Sequence, residues 1–187
     1  MIEIAQAFCY DKESPWYNNI KLMNNYNKGM ISLSAFVKPL NAFAFNDNDY
    51  YLIKNILDKS SNEFPSFNEL NYDNTKYIFW DFYKKRDFNS TYKILFNYFK
   101  ALSIILNKDW LNEKSLLNKT TGYNASMRLF KDLFIDGINQ NDLSYDFFFS
   151  KLSPMNSLNG QINSDQFGAS GYKASNDLYN EMKKNIS

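Results

Sequence analysis

The sequence predicts a mainly α protein, a single compact helical domain of about six to eight helices around an aromatic-rich core. Three observations carry that expectation. Every long periodic segment repeats its apolar residues at helical steps, no stretch shows a strong strand alternation, and no internal repeat period appears. A chain of 187 residues can bury roughly two-thirds of its unfolded surface in one core. With 17 Phe and 14 Tyr, that core must be built largely from rings, the tyrosines placed where their hydroxyls find water or a partner.

The elements follow in order. Ile2, Ala5 and Phe8 lie at helical spacing. "ESPWYNNI" reads as a turn locked by Pro15, with Trp16 and Ile20 packing back under it. Residues 21–28 read as loop. "MISLSAFVKPL" fits two templates, an alternation at Ile31, Leu33, Ala35 and Val37, or a helix burying Leu33, Phe36, Val37 and Leu40. The preferred reading is a short helix after Ser32 or Ser34 that ends at Pro39. "DYYLIKNILDKSS" predicts a short helix burying Leu52, Ile53, Ile56 and Leu57. Residues 61–74, with Pro65 and several Asn and Ser, read as a mobile connector, and helix resumes in "TKYIFWDFYKK".

"NSTYKILFNYFKALSIILNKDW" is the clearest element. Tyr92, Leu95, Phe99, Leu102 and Leu106 form its stripe, Phe96 and Ile105 widen it, and Ser90 or Thr91 is suited to cap its start. In "KTTGYNASMRLFKDLF" a helix should turn Met127, Phe130, Leu133 and Phe134 inward and stop near Gly137. "NDLSYDFFFSKLSP" predicts a short helix capped by Asn141 or Asp142 and ended by Pro154. Residues 154–170 read as a polar, glycine-bearing connector, and a last helix runs from about Tyr172 to Lys184.

Charge narrows the chemistry. Lys+Arg is 21 and Asp+Glu is 20, so any nucleic-acid contact must be a local patch rather than a basic surface. Histidine is absent, which removes the most frequent general base and the usual zinc ligand. The single cysteine, Cys9, forms no intrachain disulfide or thiolate cluster and reads as a small buried hydrophobe. The expectation is a chain with no catalytic residues, no metal and no cofactor. No segment approaches the roughly 18 apolar residues that span a bilayer, so the expected location is cytoplasmic, with no membrane partner.

Three constellations could still carry a function. Two similar joins lead from glycine and hydroxyl residues into a helix. Lys119, Thr120, Thr121 and Gly122 precede one, with Arg128 two turns on; Gly168, Ser170, Gly171 and Lys173 stand at the other. A helix N-terminus has unpaired N–H groups and about half a positive charge, so a phosphate can approach it closely when the residues in front are small. Neither join has P-loop or dinucleotide-fingerprint spacing, and the ordinary alternative is that Thr121 and Ser170 cap their helices while the glycines make turns. The second constellation is Lys84, Lys85 and Arg86 among the aromatics of "WDFYKKRDF", able to track a nucleic-acid backbone or simply to end a helix in water. The third is carboxylate pairing at Asp132 and Asp136, or Asp81 beside the basic run, with nothing nearby to supply a nucleophile.

"EIAQAFCYDKESPWYNNIKLM", "GMISLSAFVKPL", "LFNYFKALSIIL…DW", "LLNKTTGYNASMRLFKDLF" and "GASGYKASNDLYNEM", in this order, resemble the C-terminal helical half of the DGQHR-domain, DndB-like proteins, regulators linked to DNA phosphorothioation gene clusters. The family's Asp-Gly-Gln-His-Arg signature belongs to an N-terminal portion that this chain lacks, so the functions placed there do not carry over. What the resemblance carries is the Ser14-Pro15-Trp16 turn and the two glycine-hydroxyl joins. It implies a non-catalytic helical module in DNA modification or anti-phage regulation that binds nucleic-acid or nucleotide phosphate. Its expected partners are DNA and an N-terminal-half (DGQHR-containing) protein or another complex subunit, the chain being a split-gene product or a fragment. The rival expectation is a structural or protein-interaction subunit that completes a partner's fold and has no ligand of its own.

Overall fold

Helix α1, Ile2–Tyr10, buries Ile4, Ala5, Phe8 and Cys9. Coordinates come from a computed structural model that describes residues 1–22, 30–49, 53, 72–168 and 171–186. In the turn after α1, Ser14 Oγ accepts the Trp16 N–H at 3.0 Å, and Trp16 and Ile20 are fully buried as the sequence predicts. Ile20–Lys21 (β1) and Ile31–Ser32 (β2) form a two-rung parallel pair with Ile20 opposite Ile31. Ser32 then caps α2, Leu33–Ala44, by accepting the Ala35 N–H at 3.2 Å. Pro39 does not end this helix. Its ring removes one N–H, but Phe36, Val37, Leu40 and Ala44 are buried on both sides of it, and that packing carries the helix through the missing bond.

The helix expected at "DYYLIKNILDKSS" lies outside the described residues except for Ile53, which is helical and buried. So does most of the connector 61–74. Helix does not resume at Thr75: residues 74–79 turn, and α3 spans only Trp80–Lys84. The Phe79 N–H goes to the Phe43 carbonyl at 2.8 Å, so a tertiary bond to the end of α2 replaces a helical one.

Helix α4, Phe88–Ile105, is central. Its cap is Asp87, whose carboxylate accepts the Ser90 N–H at 3.1 Å, whereas Ser90 and Thr91 lie inside the helix. Leu95, Phe99, Leu102, Ile105 and Leu106 are buried as the periodicity predicts; Tyr98 and Ala101 join them, and Tyr92 and Phe96 are half-buried. A short α5, Asn107–Trp110, leads by a loop to α6, Thr120–Gln140, which buries Met127, Phe130, Leu133 and Phe134. Gly137 does not stop α6. Asn141 does, in the left-handed conformation at φ 53°, with the Asp142 N–H returning to the Gly137 carbonyl.

Ser144, not Asn141 or Asp142, caps α7, Tyr145–Leu152, because its hydroxyl is the one placed to accept the Phe147 N–H. Pro154 opens no loop, since it stands in the first turn of a 3-10 helix, Ser153–Leu158, where its missing N–H needs no partner. After it come α8, Ser164–Phe167, and α9, Gly171–Ile186. Met155, Leu158, Ile162 and Phe167 are buried, so a segment that reads as a polar connector is pinned to the core by four apolar side chains. Nine α-helices therefore stand among the described residues. Three of them, α3, α5 and α8, are five residues or shorter, and they account for the excess over the expected number.

The core is ring on ring. Trp16 meets Phe36, Phe99, Trp110 and Tyr123 edge-on at centroid distances of 5.2 to 5.5 Å, and Tyr123 stacks on Phe36 at 4.6 Å. The buried hydroxyls of Tyr98 and Tyr123 donate to the backbone carbonyls of Ser126 and Phe36 at 2.7 and 2.8 Å. Burial pushes both phenols well above their ordinary range.

Helices α6 and α9 pack side by side. Arg128 reaches Asn176 and Tyr179, and Asp132 reaches Tyr179 and Lys183, so the contacts rise together along both helices and the pair runs parallel. Their N-termini lie at the same end.

Candidate functional site

The start of α6 is set by a buried carboxylate. Asp109 is almost fully buried; it accepts the Ser115 hydroxyl at 3.1 Å, the Ile162 N–H at 3.0 Å and the Gly160 N–H. The single Ser115 hydroxyl proton is shared between Asp109 and the Ile162 carbonyl, 2.8 Å away, and the Ser115 oxygen accepts the Leu117 N–H. This knot fixes the chain just ahead of Lys119, which holds the cap position of α6 with no side-chain cap bond.

Gly122 is needed for packing. A Cβ there would stand 2.3 Å from the Leu116 carbonyl oxygen and 2.4 Å from the Leu117 Cα, so the helix starts with its backbone pressed on the preceding loop. The Gly122 N–H donates to that Leu116 carbonyl at 3.1 Å and the Tyr123 N–H to Lys119 at 2.9 Å. The amides of Thr120 and Thr121 have no partner among the described residues. Thr121 is not the cap; it is the second residue of the helix, buried, with its side chain beside a cleft.

That cleft, of about 700 Å³, lies where the first turns of α6 and α9 meet the second half of α2. Lys38, Pro39, Ala42 and Phe43 come from α2, and Thr120, Thr121, Asn124, Met127 and Arg128 from α6. Gly171, Tyr172 and Ser175 come from α9. Two cations and no carboxylate line it. Lys38 has no ion-pair partner among the described residues. Arg128 is held in place: one guanidinium nitrogen donates to Asn176 Oδ1 at 3.0 Å, and the group lies 4.0 Å over the Tyr179 ring. Gly171, at φ +96°, would meet nothing within 4 Å if it carried a Cβ, so its backbone is open.

The chain matches no family model, no curated protein and no solved structure.

Of the residues the sequence singled out, the structure brings Thr120, Thr121, Arg128 and Gly171 to this one cleft. Ser170 lies outside the described residues. Lys119, Gly122, Gly168 and Lys173 do not line it: Lys173 points from the exposed side of α9, and Gly168, at φ +79°, closes α8. The basic run stands elsewhere. Lys84 pairs with Asp81 at 3.3 Å, Lys85 is exposed, and Arg86 lines a different cleft shared with the carboxylates of Glu3, Asp11 and Asp87, surroundings that oppose an anion.

The candidate carboxylates are engaged in structure. Asp132 accepts the Tyr179 hydroxyl at 2.6 Å and Lys183 Nζ at 2.8 Å, tying α6 to α9, and Asp136 faces Lys151 at 3.9 Å. No group of His, Cys, Asp and Glu able to hold a metal stands among the described residues, and no described helix is long and apolar enough to cross a membrane. Sequence reasoning missed Lys38, Phe43, Asn124, Tyr172 and Ser175. A helix that ends at Pro39 leaves Phe43 outside it, and only the continued helix carries Lys38 and Phe43 together to the cleft.

Proposed function

We propose that this chain is a non-catalytic helical module, of the DGQHR/DndB-like kind its sequence resembles, that binds a nucleic-acid or nucleotide phosphate in the cleft between α2, α6 and α9. It would act in DNA modification or anti-phage regulation. One observation supports this reading: two parallel helices present their N-termini to the same cleft, beside Lys38 and Arg128 and with no carboxylate in its lining. Parallel helices place two positive dipole ends side by side, an arrangement that an anion stabilises by roughly 0.3–1 kcal/mol per helix. Docking against an N-terminal-half protein would use another surface. Ile104 and Leu111 are exposed and line one open groove beside Trp110, on residues that do not belong to the cleft.

The test is titration of the isolated chain with nucleotides and short DNA at low and moderate salt, with Lys38→Ala and Lys173→Ala beside it. Binding should weaken as salt rises, fall in Lys38→Ala and hold in Lys173→Ala. Absence of any salt-sensitive binding would sink this reading.

A further inference from the structure

Two buried hydroxyls face the cleft without a partner. Thr121 and Ser175 are each 6% exposed, one on each of the two helices, and neither side-chain oxygen has a hydrogen bond among the described residues. Neither is sealed from solvent, unlike Trp16 Nε1, Asn118 Oδ1 and Ser126 Oγ, the buried side-chain atoms that have no partner and no access. A hydroxyl largely withdrawn from water and left without a protein partner costs free energy, so hydroxyls kept in this state at the wall of a cleft mark where a ligand's oxygens go. The free amides of Thr120 and Thr121 open beside them.

The lining also has an apolar part. Pro39, Phe43 and Met127 form it, and Tyr172 stands at the rim, 83% exposed and without a ring partner among the described residues. An exposed tyrosine next to an apolar wall and an anion-seeking helix end offers a base a face to stack on while its phosphate reaches the hydroxyls. The volume suits one small ligand, within the usual span of roughly 300–1,000 Å³. A base still paired in a duplex presents no face to Tyr172.

Resting on the phosphate-binding reading above, we infer that the cleft takes a single unpaired 5′-nucleotide. The phosphate sits against Thr121, Ser175 and the α6 amides, and the base lies between Tyr172 and the Phe43–Met127 wall. The nucleotide comes either free or as an unpaired residue of a single strand. The experiment is calorimetric titration of the full chain with inorganic phosphate, the four common 5′-nucleoside monophosphates, a single-stranded oligonucleotide and the matching duplex. At least one monophosphate should bind roughly tenfold or more tighter than inorganic phosphate, and Tyr172→Ala should remove that advantage while leaving phosphate binding in place. Thr121→Val with Ser175→Ala should weaken phosphate and nucleotide alike.

A monophosphate tighter than the oligonucleotide assigns the free nucleotide, and the reverse order assigns the strand; both support the inference. Equal affinity for phosphate and nucleotide, a silent Tyr172→Ala, or binding confined to the duplex would overturn it while leaving a phosphate site standing. No binding of any of these ligands would overturn both readings together.

Discussion

Thr121 shows how a residue's role turns on one bond. As a cap its hydroxyl would satisfy the helix start and its loss would destabilise by about 1 kcal/mol; as an unbonded hydroxyl it does the opposite. Thr121→Val is therefore expected to leave the urea-unfolding midpoint unchanged or to raise stability by up to about 1 kcal/mol, while ligand affinity falls. A cap-sized loss of stability would show that the hydroxyl has a structural partner after all. Its neighbour Gly122 reads in the sequence as a residue that admits a phosphate or makes a turn, and the structure sets it inside the helix instead. The contact its missing Cβ permits is with Leu116 and Leu117, in the preceding loop, which no local pattern reveals.

At the scale of elements, helix ends are governed by local side chains, and three of them titrate. The Ser90 hydroxyl and amide hold the Asp87 carboxyl below its ordinary value of 3.8, the Ser144 hydroxyl and amide do the same to Asp142, and the Tyr92 hydroxyl leads in lowering Asp11. A depressed folded value means that each contributes stability above the unfolded pKa and loses it as pH falls through the folded one. Stability from these carboxylates should thus be constant above about pH 5 and decline below about pH 4, read as the thermal midpoint against pH. Asp87→Asn keeps an Ncap oxygen and should flatten part of that decline; an unchanged acid limb would remove Asp87 from the account. The stripe of α4 was plain in the sequence because its partners recur every turn. The run of α2 through Pro39 was not, because burial of Phe36 and Leu40 outweighs the local penalty of a proline, and burial is a tertiary quantity.

Across the whole molecule, distant segments are joined by a few polar bonds set in an aromatic core. Asp109 joins the approach to α6 to residues 160–162, about fifty positions on, and so stations the cleft's α6 wall. Asp109→Ala would leave the buried Ile162 N–H and the Gly160 N–H without their acceptor, while the Ser115 hydroxyl keeps the Ile162 carbonyl, and a loss on the order of 3 kcal/mol is expected in denaturant unfolding. A change under about 1 kcal/mol would mean that the knot relaxes without cost. The Asp132–Tyr179–Lys183 cluster does for α6 and α9 what Asp109 does for the loops, holding them parallel against the repulsion of their dipoles.

The pentapeptides Gly122–Ser126 and Gly171–Ser175 differ only at Asn124 and Lys173, yet their fates diverge. Tyr123 is fully buried, stacked on Phe36, while Tyr172 stands at the rim of the cleft. From the sequence alone came the helical class, the aromatic core, the main stripes of α4 and α6 and the two glycine joins, because helical periodicity and backbone demands are local. Only the tertiary structure decided that the two joins meet, that Lys38 and Arg128 stand beside them while Lys84–Arg86 do not, and which tyrosine is core and which is surface. The reason is physical: nearly identical local sequence specifies the same turn of helix, but the face that turn buries depends on what packs against it.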